Sequence, residues 1–171
     1  MNIRGVRFLE IKGIMEIFLH TSPRPHQSNY SSPQLSFQLT IFLLDKQLHL
    51  KLSDFQGNQI SQDGHVLLDS GSGERYRFYY PRADPSKADI KTDLFALGCT
   101  IYFIMMRHAV FPDIIDREDG WLEKVQDRFA KHQFPQEIHA CSSITQKCWH
   151  KEYTSAQELL QDLEDMEEGY T

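Results

Sequence analysis

The strongest hydrophobic patterning in this chain lies in its second half. From residue 91 onward apolar positions recur every three or four residues, which predicts helices over 92–107, 118–131, 137–149 and 154–168. Pro112 and Pro135 fall at the breaks between them. The first helix differs from the rest. Leu94 to Met106 is a thirteen-residue run that is apolar all round, so it predicts a central helix buried on every side. The last helix is amphipathic, with Ala156, Leu159, Leu160 and Leu163 on one face.

The first half is patterned less clearly. Ile11, Ile14, Met15 and Phe18 stand at helical spacing and predict a short amphipathic helix within 6–19. Residues 21–36 are rich in proline and serine and read as a loop or a disordered stretch. Residues 41–54 predict two short strands around a turn near Asp45-Lys46. His49, Lys51 and Ser53 alternate there with Leu48, Leu50 and Leu52, the period of a half-buried strand. Residues 56–90 are polar and rich in Gly, Ser and Asp, with a candidate hairpin turn at Gln62–His65. A loop this long fits a compact domain best when it has, or descends from, a function.

Composition narrows the class. The chain has 171 residues, 40% of them hydrophobic and 25% charged, which is one soluble globular domain's worth. A net charge of -6 gives no electrostatic reason to expect nucleic acid. Residues 88–171 carry eight basic and sixteen acidic side chains, an acidic solvated surface. The thirteen-residue run is too short to span a bilayer, which needs about 20 residues. Glu10, Lys12 and Glu16 interrupt any secretory signal, so the chain reads as intracellular, cytoplasmic or nuclear. Three cysteines are too few and too odd for a disulfide framework. His139, Cys141, Cys148 and His150 invite a zinc reading, but structural zinc sites favour close Cys-x-x-Cys pairs. Cys141 and Cys148 stand seven apart and share one helix face, so they are read as core.

Three short motifs, in this order and spacing, carry a resemblance. Asp54-Phe55-Gln56-Gly57 follows a hydrophobic strand. Asp93 and Gly98 open the apolar helix, and Cys148-Trp149 precedes the amphipathic last helix. Together they resemble the C-terminal lobe of a protein kinase over residues 38–168, most nearly that of a fungal-type group of serine/threonine-kinase-like proteins. The resemblance implies a mainly α fold of the α+β kinase family: a C-lobe with a small β-hairpin beside a buried central helix. Residues 1–37 are then a degenerate N-terminal segment. It implies ATP and magnesium as ligands, with Asp54 at the metal position and Phe55 beside it. It gives Asp93, Gly98 and Trp149 structural roles, Asp93 by accepting backbone hydrogen bonds from the catalytic loop. Gln56 replaces the family glycine, and with it the wider backbone range that glycine has.

The catalytic parts are missing. A kinase loop carries an aspartate that accepts the substrate hydroxyl's proton, and this chain has no aspartate before Asp45. Two alignments of the loop differ, placing Leu35 or Ser28 at that position, and Thr40 or Pro33 where a second metal ligand belongs. The 44 residues before Asp45 contain neither a glycine-rich flap nor a Val-Ala-Ile-Lys pattern. Gly71-Ser72-Gly73 lies in the wrong region and reads as a flexible turn. The family's Ala-Pro-Glu is Pro81-Arg82 here, and no arginine follows Trp149, so both halves of a buried ion pair are gone together. Losing one alone leaves a stranded charge at about 3–5 kcal/mol, and losing both is close to neutral. Arg82 or Asp84 is expected to anchor the segment instead. Ser61, Ser70, Ser72, Tyr76, Tyr79 and Tyr80 stand where kinases carry phosphosites, but the receptor arginine of the loop is absent, so no such switch is expected.

Three functions compete. The chain is a catalytically inactive C-lobe remnant, or the truncated or misread gene product of an active serine/threonine kinase. In the third reading it is a non-catalytic interaction module that meets a protein partner through its acidic helices. An exposed patch including Phe129, Phe134 or Trp121 would favour that module.

Overall fold

The computed structural model describes residues 13–14, 42–44, 50–52, 59–60, 66–68, 76–84 and 89–169. The 21–36 loop, the turn near Asp45-Lys46, Asp54-Phe55 and Gly71–Gly73 lie outside the described residues. So does all but Gly13 and Ile14 of the helix expected within 6–19; both of these are helical. The described part is mainly helical. Strand β1 (Phe42–Leu44) pairs antiparallel with β2 (Leu50–Leu52), Leu43 opposite Lys51. β3 (Gln59–Ile60) pairs antiparallel with β4 (Val66–Leu68). Four helices follow: α1 (Ile90–Met106), α2 (Trp121–Ala130), α3 (Ser142–Trp149) and α4 (Ala156–Glu168).

Helix α1 starts where it does because of a reciprocal cap. The Asp89 carboxylate accepts from the Thr92 backbone N–H at 2.9 Å, and the Thr92 hydroxyl accepts from the Asp89 N–H at 3.0 Å. The helix ends at Arg107, left-handed at φ 66°, whose N–H donates to the Phe103 carbonyl. Every residue from Leu94 to Tyr102 is buried. Its two faces serve different cores. Leu94, Leu97 and Ile101 pack with Cys148, Leu159 and Ile14, whereas Phe95, Cys99 and Tyr102 pack with Phe111, Phe129 and Trp149. A 3.6-residue repeat divides the helix this way, because 94, 97 and 101 lie on one side and 95, 99 and 102 on the other.

Helix α1 begins two residues before the expected 92, at Ile90, and the other three helices begin later than expected, for local reasons. Residues 118–120 stay outside α2, because Gly120 is left-handed at φ 72°. Residues 137–141 stay outside α3, because the Ser142 hydroxyl accepts from the His139 N–H at 2.7 Å and donates to the His139 carbonyl at 2.8 Å. That closes a turn where a helix would need its own ladder. At α4, Ser155 caps the helix by accepting from the Glu158 N–H, so it begins at Ala156 and not at 154.

Candidate functional site

The junction of α1 and α3 brings together three of the residues singled out from sequence. Gly98 faces Cys148, and a Cβ at position 98 would sit 2.5 Å from the Cys148 Cβ. Only hydrogen fits in that space, so glycine sets how closely the two helices approach. Trp149, next along α3, is buried beside the same helix. Its indole N–H donates to the Cys99 sulfur at 3.3 Å, and its ring stacks on Phe134 at 5.3 Å. Asp93 sits half-buried in the first turn of α1, where the helix dipole favours a carboxylate. Asp54 and Phe55 lie outside the described residues.

Residues 76–84 are fastened to the helices by an arginine that sequence reasoning passed over. Arg77 is 11% exposed, and its guanidinium reaches under the loop that follows α1. It donates to the carbonyls of Val110, Phe111 (3.1 Å) and Ile114 (2.5 Å), and twice to the Asp116 carboxylate at 2.6 and 2.9 Å. Five donors in a rigid fork suit such a set, and a lysine could not serve it. The loop needs this support, because Phe111 is held left-handed at φ 55°. Aromatic contacts complete the clasp. Tyr80 meets Phe95 edge-on at 5.1 Å under the Lys151 ammonium, which lies 3.7 Å from the Tyr80 ring centre. Tyr76 meets Trp121 edge-on at 5.7 Å. Arg82, expected with Asp84 as an alternative anchor, places its guanidinium over the Tyr79 ring at 4.6 Å. No sequence signal marked Arg77, because most of its acceptors are backbone carbonyls that any residue supplies.

The three cysteines of the helical part are buried. Burial pushes the Cys99 thiol up to about 12 against the opposing Trp149 hydrogen bond, and pushes Cys141 up to about 11. Burial also raises Cys148 well above its ordinary value. A thiol that resists ionisation is a poor nucleophile and a poor metal ligand. Among the described residues no group of three or more His, Cys, Asp or Glu is placed to hold a metal ion. Lys147 and the Tyr153 hydroxyl both donate to Asp162, at 2.7 and 2.5 Å, which ties α3 to α4.

Of the exposed aromatic patch that would favour an interaction module, Trp121 alone reaches the surface. Phe129 and Phe134 are core residues, 1% and 5% exposed. Beside them is a shallow groove of about 460 Å³, lined by Phe111, Pro112, Phe134 and Pro135. Its polar edge is the Arg128–Asp113 pair, joined by two hydrogen bonds of 2.8 and 2.5 Å. Among the described residues no helix is long and apolar enough to cross a membrane. No model of a known protein family matches this chain, and a search of curated proteins gives no significant match.

Proposed function

We propose that residues 38–168 form a protein-kinase-like C-terminal lobe that does not transfer phosphate and serves as a binding surface. One observation carries the reading. The motif residues separated by fifty positions in sequence, Gly98-Cys99 and Cys148-Trp149, meet around one helix buried on all sides. A family pattern that marks a packing junction has a physical reason to stay together in order and spacing.

The residues do not fit a productive magnesium–ATP site. Phosphoryl transfer rests on positioning and on charge held around the phosphates. This chain offers one carboxylate at the metal position, Asp54, without the asparagine that completes the pair and without the base that takes the hydroxyl proton. No phosphate-transfer step is therefore assigned to it. The acidic helices and the half-exposed Trp121–Tyr76 pair are the surface on which a protein partner would settle. Incubation with ATP, magnesium and a generic serine/threonine substrate tests the catalytic half of this reading. The expected result is label incorporation at background. Turnover that disappears in Asp54→Ala would overturn it.

A further inference from the structure

Among the described residues, two buried side-chain polar atoms have no hydrogen-bond partner: the Tyr102 hydroxyl and His139 Nδ1. Their rings touch, edge to face, with centroids 5.9 Å apart. A buried donor or acceptor left unmade costs about 1–3 kcal/mol, and a hydroxyl and an imidazole nitrogen are complementary. The Tyr102 hydroxyl then has two acceptors to choose between, the Glu137 carboxylate that acts on it and His139 Nδ1 on the adjoining ring, the second reached by a ring rotation or through one bridging water.

We propose that Tyr102 and His139 form an acid-sensitive latch, the hydroxyl donating to Nδ1, that holds the connection 131–141 against α1. The inference is independent of kinase ancestry, since it uses no motif residue. The latch needs a neutral imidazole that carries its proton on Nε2. Burial favours that neutral form and holds His139 below the usual histidine range, with Glu137 opposing. Once Nδ1 is protonated it can no longer accept, and the Tyr102 hydroxyl is left with the Glu137 carboxylate. The cationic ring is then drawn to the exposed Glu137 carboxylate. The groups around His139 are few. From α1 there is Tyr102, against which His108 also packs at 5.6 Å, and from its own segment Glu137. From α3 the Ser142 hydroxyl meets its backbone. Opening has a structural consequence, because the same connection carries Phe134, which stacks on Trp149, and forms one wall of the groove.

Long-range 1H–15N NMR of the full chain reads the tautomer without any substitution. At neutral pH His139 is expected as the Nε2–H form. On acidification the protection of the 131–141 amides, taken relative to their intrinsic exchange rate at each pH, is expected to fall with the midpoint of His139 titration. In Tyr102→Phe, which keeps the ring, that midpoint rises by about one pH unit, the tenfold change worth one hydrogen bond to the neutral form. A His139 found as the Nδ1–H tautomer overturns the latch. So does a midpoint unmoved by Tyr102→Phe, the result if the hydroxyl donates to Glu137 instead, or an acid titration that leaves the 131–141 amides unchanged.

Discussion

Replacing Gly98 by alanine adds one methyl group to the middle of a helix, where alanine is normally favoured. In an exposed helix the change gains about 0.5–1 kcal/mol, because glycine's backbone freedom no longer has to be lost. Here the new Cβ would stand 2.5 Å from the Cys148 Cβ, where carbon atoms in contact prefer about 3.5–4.0 Å. The obstructing atom is fixed to the backbone of α3 and has no rotamer to change. Relief requires α1 and α3 to separate by about 1 Å along that line, which disturbs the packing of both cores at once. Overpacking of this kind costs about 1–3 kcal/mol, and subtracting the propensity gain leaves a net loss of about 1–2 kcal/mol. At this chain length that lowers the melting temperature by about 2–4 °C for each kcal/mol. Denaturant unfolding followed by tryptophan fluorescence measures it, since Trp149 adjoins Cys148. Gly98→Ala/Cys148→Ala should remain destabilised, because the second change removes sulfur and leaves the Cβ in place. A Gly98→Ala protein as stable as the parent, or more so, would refute the close approach and with it the reason for glycine at this position.

Two further outcomes follow from the ionic contacts. Arg77→Ala should destabilise by about 2 kcal/mol or more, since it strands buried carbonyls, and Arg77→Lys should recover little; hydrogen exchange at 110–116 that stays unchanged in both would contradict the clasp. Asp162 is pushed up by burial, but the hydrogen bonds from Lys147 and Tyr153 outweigh this and leave its carboxyl below the ordinary value. A depressed carboxylate contributes stability above its unfolded pKa of about 3.9, and that contribution fades as acid protonates the folded form. Asp162→Asn should therefore flatten the stability curve below about pH 4, and an acid limb identical to that of the parent would count against the pairing.

The helical half was legible in sequence because its pattern is set by burial. An apolar run without a polar face has one place to go, and α1 went there. The helix ends were less legible. Gly120 in a left-handed turn and Ser142 bonded back to His139 are choices of local hydrogen bonding, which hydrophobic period does not report. Of the candidate site, Gly98 and Trp149 were marked by motif, but that Gly98 meets Cys148 and Trp149 meets Cys99 became visible only in three dimensions. Whether Phe129 or Phe134 would be exposed was not legible, because amphipathic spacing says which face is apolar, not how much of its edge a neighbouring loop covers. Val110, Phe111 and Ile114, in the loop that Arg77 holds, pack in the same core as both rings. Arg77 itself carried no signal, since a side chain that satisfies backbone groups leaves no complementary residue to find.

The division of labour in α1 bears on what this domain can do. One helix supplies a face to each of two cores, so neither core can loosen without moving the other. Close-packed interiors respond to such a shift as a unit and not by local yielding. The groups that elsewhere make reactive centres are absorbed in that packing: the Cys99 thiol takes the Trp149 N–H, and Asp162 ties α3 to α4. Each is held in the protonation state that suits its structural partner, which is the opposite of an activated nucleophile or base. What the described helical part leaves free is surface: an acidic rim, a half-buried tryptophan and a shallow apolar groove. These outward features are what the proposed binding role would use.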